Sequence, residues 1–160
     1  METQQSKEAY LSFRLGNELF AVSVHKVLEV LQKQVVTEVP ETPDFIAGVI
    51  NFRGEIVPVA ETHIKFHMPT RSQEEKSVIV VLELQSGTDN LLISMTADAV
   101  KDVFEISDSE IKPVPPMGNS ISSEFISGMV QKNGKFIMLL NIDKVFSTEE
   151  VGQLASSTLV

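Results

Sequence analysis

His63 and His67 stand four residues apart, a spacing that on a helix places two imidazoles on one face, and Glu61 could add an oxygen ligand. Pro69 follows closely and the second half of the chain has no histidine to complete a site, so the plainer reading is a pair of solvated surface histidines. His25, beside Lys26, is most simply exposed. The chain has no Gly-x-Ser-x-Gly element that would mark a nucleophilic serine. Gly48 and Gly54 lack both the Gly-x-Gly-x-x-Gly spacing and the Gly-Lys-Ser/Thr ending of a phosphate cradle. No catalytic residue, resident metal or cofactor is therefore expected, and a small metal-dependent enzyme using His63 and His67 is the weaker alternative. Arg53 is of another kind. It sits beside Gly54 where a tight turn is expected, from which a guanidinium could grip a carboxylate or carbonyl of a partner. The plainer reading is a solvated turn residue or a surface ion pair worth little.

Composition narrows the partners. The 160 residues carry 22 acidic against 13 basic side chains, a formal charge of -9 that repels a phosphate backbone or an anionic membrane surface. Nucleic acid is thus a poor partner. There is no cysteine, which removes disulfides and thiolate metal sites and fits a reducing compartment. The polar start, Met1 to Ala9, lacks the basic and then apolar regions of a signal peptide. No apolar run approaches the ~18 residues of a membrane span. These features predict a cytoplasmic protein with no direct membrane insertion.

The element that positions Arg53 is a hairpin within the stretch from Phe45 to Phe66, where Val49-Ile50 and Ile56-Val57 flank a polar tip and Gly54 can supply positive φ. Adding 80 to positions 45, 46, 48, 54 and 66 lands on Phe125, Ile126, Gly128, Gly134 and Phe146, so the hairpin occurs twice. The rest of the chain repeats with it. Tyr10 to Leu15 and Glu18 to Val22 read as strands around Gly16-Asn17, and Ser77 to Leu84 and Asn90 to Met95 as their counterparts. Val24, Val27, Leu28 and Leu31 predict either a single helical turn running into a strand or a full helix, and Ala97, Val100 and Val103 echo Val24, Val27 and Val30. Val35 to Val39 is expected to be a short strand stopped by Pro40. Ala60 to Phe66 and Asn141 to Phe146 are expected to be short helical closures.

About five short strands per half favour an all-β fold of two packed barrels over a layered βαβ sheet, the alternative being a single ten-stranded sandwich. The expected boundaries are one domain over 10–147, a first barrel at 10–68 and a second at 77–147, with exchange of the N-terminal strand between them allowed. Residues 67–76 are the candidate linker, and 1–9 and 148–160 are expected to be flexible or helical ends.

The run Phe45-Ile46-Ala47-Gly48-Val49-Ile50-Asn51-Phe52-Arg53-Gly54-Glu55-Ile56-Val57-Pro58-Val59 resembles the signature hairpin of the CheW chemotaxis coupling family. Phe13 to Val30, Asp98-Ala99-Val100, Ile111-x-Pro113, Phe125-Ile126-x-Gly128 and Leu140 to Lys144 fall in that family's order, over about residues 10 to 147. The resemblance implies two five-stranded SH3-like barrels and no catalysis. It implies an adaptor between the regulatory domain of a CheA-type histidine kinase and the cytoplasmic tip of methyl-accepting chemoreceptors, held at receptor arrays on the inner membrane, in a motility pathway or another chemosensory one. Val27, Glu29, Val30, Gly48, Arg53 and Gly54 fall in segments the family uses for receptor or kinase contact. The duplication further allows heterologous barrel-to-barrel contacts that close a ring with the kinase. The chain departs from the family at Glu61-Thr62-His63, where Asp-Leu-Arg is usual, and at Ser94, where glycine commonly precedes the Val-Asp element.

Overall fold

A computed structural model describes residues 7–32, 34–68, 77–86, 89–114 and 123–146. Ten strands dominate it: β1 (Lys7–Leu15), β2 (Glu18–Ser23), β3 (Val27–Leu31), β4 (Ile46–Phe52), β5 (Glu55–Ala60), β6 (Val78–Ser86), β7 (Asp89–Ala97), β8 (Ala99–Ser107), β9 (Ile126–Lys132) and β10 (Lys135–Leu140). Helical turns α1 (Thr62–Lys65) and α2 (Ile142–Val145) follow β5 and β10, and a 3₁₀ turn at Val24–Lys26 leads into β3. The two expected closures are thus present, and of the two readings before β3 the structure has the turn running into a strand rather than a full helix. Most of the expected linker, the tip of the β6–β7 turn and the C-terminal end lie outside the described residues.

The strands form two five-stranded sheets, ordered β8-β1-β2-β10-β9 and β3-β6-β7-β5-β4. The sheets do not divide at the linker. Each takes an opening hairpin from one half of the chain and its remaining three strands from the other, so the exchange involves a whole hairpin in each direction rather than one N-terminal strand. The two orders correspond strand for strand, β1 with β6, β2 with β7, β3 with β8, β4 with β9 and β5 with β10. Orientations correspond too: β2–β10 and β7–β5 are the parallel pairs, and the other contacts are antiparallel.

Burial explains why the opening hairpins read as nearly continuous apolar runs. Leu11, Phe13, Leu15, Phe20 and Val22 from one sheet meet Val80, Leu82, Leu84, Ile93 and Met95 from the other in a single core between the sheets. The alternate side chains line smaller cores within the individual sheets, Tyr10 and Ala21 in the first, Ile79 and Val81 in the second. Both faces of these strands are therefore dry. Phe66 and Phe146, 80 residues apart, are both buried in the central core, and Phe66 lies 5.7 Å from the Phe20 ring and 5.9 Å from Phe125.

The expected strand from Val35 to Val39 is reduced to one bridge, Thr37 to Val49, and Val35 is almost fully exposed. Pro40 ends any extension, and the segment only crosses over β4. Gly48 is the seat for that crossing. Its φ is +152°, and a Cβ there would collide with the Thr37 carbonyl. Lys112 bridges Met129 in the same way in the second copy, where a Cβ on Gly128 would meet Ile111.

Candidate interaction surface

The β4–β5 tip is a two-residue turn in which Arg53 (φ +51°) and Gly54 (φ +86°) both take positive φ, as a type I′ hairpin requires. Asn51 Oδ1 accepts the Gly54 amide proton at 3.0 Å and stiffens the turn. Arg53 is two-thirds exposed, its guanidinium 4.7 Å from the centre of the Phe52 ring and 3.5 Å from Glu29 Oε2 on β3. Structure thus brings together two residues 24 positions apart in the candidate set, Glu29 and Arg53. So exposed a pair contributes about 0–1 kcal/mol to stability, and its effect is to hold the guanidinium over the sheet end. Leu28, Val30 and Ile56 are exposed on these same strands.

The other candidate residues separate. Val27 is partly buried and packs on the central core, whereas Val30 is 39% exposed, as the regular alternation of burial along β3 places positions three apart differently. Gly48 is buried beneath the crossing segment and offers a partner no surface; its role is to admit Thr37. Gly54 is exposed and shapes the turn that presents Arg53.

The histidines do not converge. α1 ends at Lys65, so the four-residue spacing never acts on one helical face. His63 is buried rather than solvated, with Nε2 3.2 Å from Asp98 Oδ1, while His67 is exposed at φ +56°. Among the described residues no group of three or more His, Asp or Glu side chains could hold a metal ion.

The equivalent end of the other sheet has the same backbone and different chemistry. Asn133 (φ +52°) and Gly134 (φ +76°) repeat the turn. Lys132 Nζ donates to Glu110 Oε2 at 2.9 Å and lies 5.8 Å from the centre of the Phe104 ring. The Glu110 carboxyl is pulled down to about 2, first by the Ser107 amide that donates to it at 3.0 Å, then by the Lys132 ammonium and the Ser107 hydroxyl. Lys101, Val103, Phe104, Lys132, Lys135 and Ile137 line an open groove beside this tip. Val103 and Phe136 are both more than 60% exposed. None of these residues was a sequence candidate. Their signal was available in the repeat, since Glu55 and Ile56 become Lys135 and Phe136 on adding 80, keeping the exposed apolar position and inverting the charge.

The family model described as the CheW-like domain matches residues 9–150. The chain is 32% identical over 144 residues to the chemotaxis protein CheW of Klebsiella aerogenes, covering 90% of this chain and 84% of that protein. It is 33% identical over 145 residues to the protein FrzA of Myxococcus xanthus, covering 89% and 87%. The crystal structure of the scaffolding protein TtCheW from Thermoanaerobacter tengcongensis matches with a TM-score of 0.78 at 28% identity over 94% of each chain.

Proposed function

The chain belongs to the CheW-like domain family and is a chemotaxis adaptor; from that premise we propose that it joins the cytoplasmic tip of methyl-accepting chemoreceptors to the regulatory domain of a CheA-type histidine kinase, without catalysing a reaction itself. Its place at receptor arrays on the inner membrane comes, in this reading, through those partners. The observation that carries the proposal is the pair of exposed sheet ends, each built on a rigid type I′ turn and flanked by exposed apolar side chains. Val30 and Ile56 accompany Arg53 at one end, and Val103 and Phe136 accompany the lysines at the other. Such surfaces suit protein partners, with apolar contact supplying affinity and charge supplying orientation.

The same ends support a ring. Two different ends on one molecule make a heterologous contact, which closes when the rotation per subunit allows it. Glu29 and Glu55 at one end face the opposite sign from Lys101 and Lys135 at the other. A kinase domain built on the same duplicated plan would alternate with this chain in the ring.

Arg53→Asn tests the reading without disturbing the turn, because Asn133 fills the equivalent position in the second copy. With receptor-containing membranes and purified kinase, the variant is expected to bind one partner about tenfold more weakly, the loss of a charge-assisted hydrogen bond worth about 1.5 kcal/mol. Receptor-dependent kinase activation falls with it. Full coupling by a folded Arg53→Asn protein would remove Arg53 from the contact.

A further inference from the structure

The small core inside the second sheet ends on Phe52, which is buried in one cluster with Val57, Val59 and Val81 while Leu31 and Leu92 pack partly against it. The repeat locates the matching residues of the first sheet. Adding 80 to 52 and 57 gives Lys132 and Ile137, and an offset of 73 relates Leu31 to Phe104 and Leu19 to Leu92. The register agrees: one parallel pair sets Ile137 opposite Leu19, and the other sets Val59 opposite Ser94, two residues beyond Val57 and Leu92. Leu19, Phe104 and Ile137 share a cluster inside the first sheet as Leu92, Leu31 and Val57 do inside the second. Three of the four positions are thus apolar in both copies. The fourth is phenylalanine in one and lysine in the other.

A lysine cannot plug an apolar mouth, because its ammonium must stay with water or a carboxylate. Lys132 Nζ instead turns to Glu110 Oε2 at 2.9 Å, and a groove of about 510 Å³ remains over Leu19, Phe104 and Ile137. That volume lies within the ~300–1,000 Å³ of ligand sites. One wall is β8 from Lys101 to Phe104 and the other is the β9–β10 tip; β8 and β9 are opposite edges of the sheet, and no ladder joins them among the described residues. Lys101 and Lys135 stand on the two walls, and neither forms an ion pair among the described residues. Asp102 is the one carboxylate lining the groove against three lysines, on a chain whose formal charge is -9. The mouth is therefore apolar at its floor and cationic at its rim.

We propose that this mouth is a binding site for an acidic segment of a protein partner, which inserts one aromatic side chain where Phe52 sits in the other copy. The ring rests on Leu19, Phe104 and Ile137, and carboxylates on either side of it meet Lys101 and Lys135. The molecule displays the filled form in its own second sheet. Burial of the ring supplies affinity, and the lysines reject a basic partner. The inference deepens the adaptor reading, on which it rests for the occupant being a protein, by naming the side chains that the lysine-lined end selects.

The probe is the capped peptide acetyl-Asp-Glu-Phe-Asp-Glu-amide, titrated into the isotope-labelled full chain and followed by the amide resonances in nuclear magnetic resonance. Shifts are expected at residues 101–104 and 132–137, with a Kd below about 1 mM. The same peptide with alanine for phenylalanine is expected to bind at least about tenfold more weakly; equal binding would reduce the groove to a diffuse charge attraction and overturn the site. Lys132→Phe restores the plug of the other copy from within and is expected to weaken the peptide at least about tenfold. Undiminished binding by the folded variant overturns the proposal. If that variant does not fold, Lys101→Gln combined with Lys135→Gln decides: weaker binding sustains the site, and unchanged binding overturns it. Shifts at the same amides on concentrating the chain without peptide would assign the mouth to a second copy instead. The assay holds neither kinase nor receptor, so its failure leaves the Arg53 test of coupling standing, and failure of that test leaves the peptide result standing.

Discussion

The β4–β5 and β9–β10 hairpins share a turn type, a glycine at its second position and a place in their sheets, yet they present different chemistry to solvent. One carries Arg53 over Phe52 beside Glu29, and the other carries Asn133 between Lys132 and Lys135, with Lys132 drawn to Glu110. Asparagine is the residue a positive-φ turn position accepts most readily after glycine, whereas arginine there carries a backbone penalty of about 1 kcal/mol. The second copy has the locally comfortable turn. The first keeps a residue that the turn disfavours, on the most exposed part of the sheet, where it contributes little to stability. The two tips thus present unlike side chains on a common backbone frame.

Four measurements test the contrast between the copies. Phe66→Ala and Phe146→Ala should have the largest effects, each losing about 3–5 kcal/mol in chemical unfolding. Phe66 should lose more, since it also packs against the Phe20 and Phe125 rings; equal losses would mean that the two closures are energetically interchangeable. Gly48→Ala should lose about 3 kcal/mol or prevent folding, because its added methyl meets the Thr37 backbone at positive φ. Gly128→Ala meets chiefly the Ile111 side chain, which can move, and a larger loss there than at Gly48 would contradict the account of the crossing.

Exchanging the tips should act on a smaller scale. Asn133→Arg is expected to lower stability by about 1 kcal/mol and Arg53→Asn to raise it by a similar amount, measured by thermal unfolding, with partner coupling impaired by the second change. The smallest effect belongs to Glu110. Its carboxyl is lowered from 4.5 to about 2 in the folded chain, so its contribution is complete above the unfolded value and is lost as pH falls from about 4.5 to about 2. Glu110→Gln should therefore be slightly less stable than the parent at neutral pH, with the gap closing over that acid range. A gap that persisted at pH 2 would show that the carboxylate's charge is not what Ser107 and Lys132 recognise.

Much of this was legible in the residues. The repeat at an interval of 80, the hairpins, the two short closures and the exposed arginine all follow from local patterns of apolar spacing and turn chemistry. The short strand at Val35 to Val39 failed because β-branched residues alone cannot make a strand where Pro40 and the crossing geometry leave a partner for only one residue. Gly48 is a candidate through the family resemblance alone, and its residue type does not say that the segment at Thr37 crosses over it. The sequence reads His63 as a solvated histidine because Asp98, beside which it is buried, lies 35 positions away.

The residues alone thus dictate the content of each element and the fact of duplication, since propensity, alternation and positive-φ turns act over a few residues. Which hairpin joins which sheet was decided only in the folded molecule. Both opening hairpins carry apolar side chains on both faces, so nothing local distinguishes staying from exchanging; in the exchanged arrangement Phe13, Phe20, Phe66 and Phe146 share one core between the sheets. The same choice puts Asp98 at the crossing and sets Arg53 and the lysine-lined groove on different sheets.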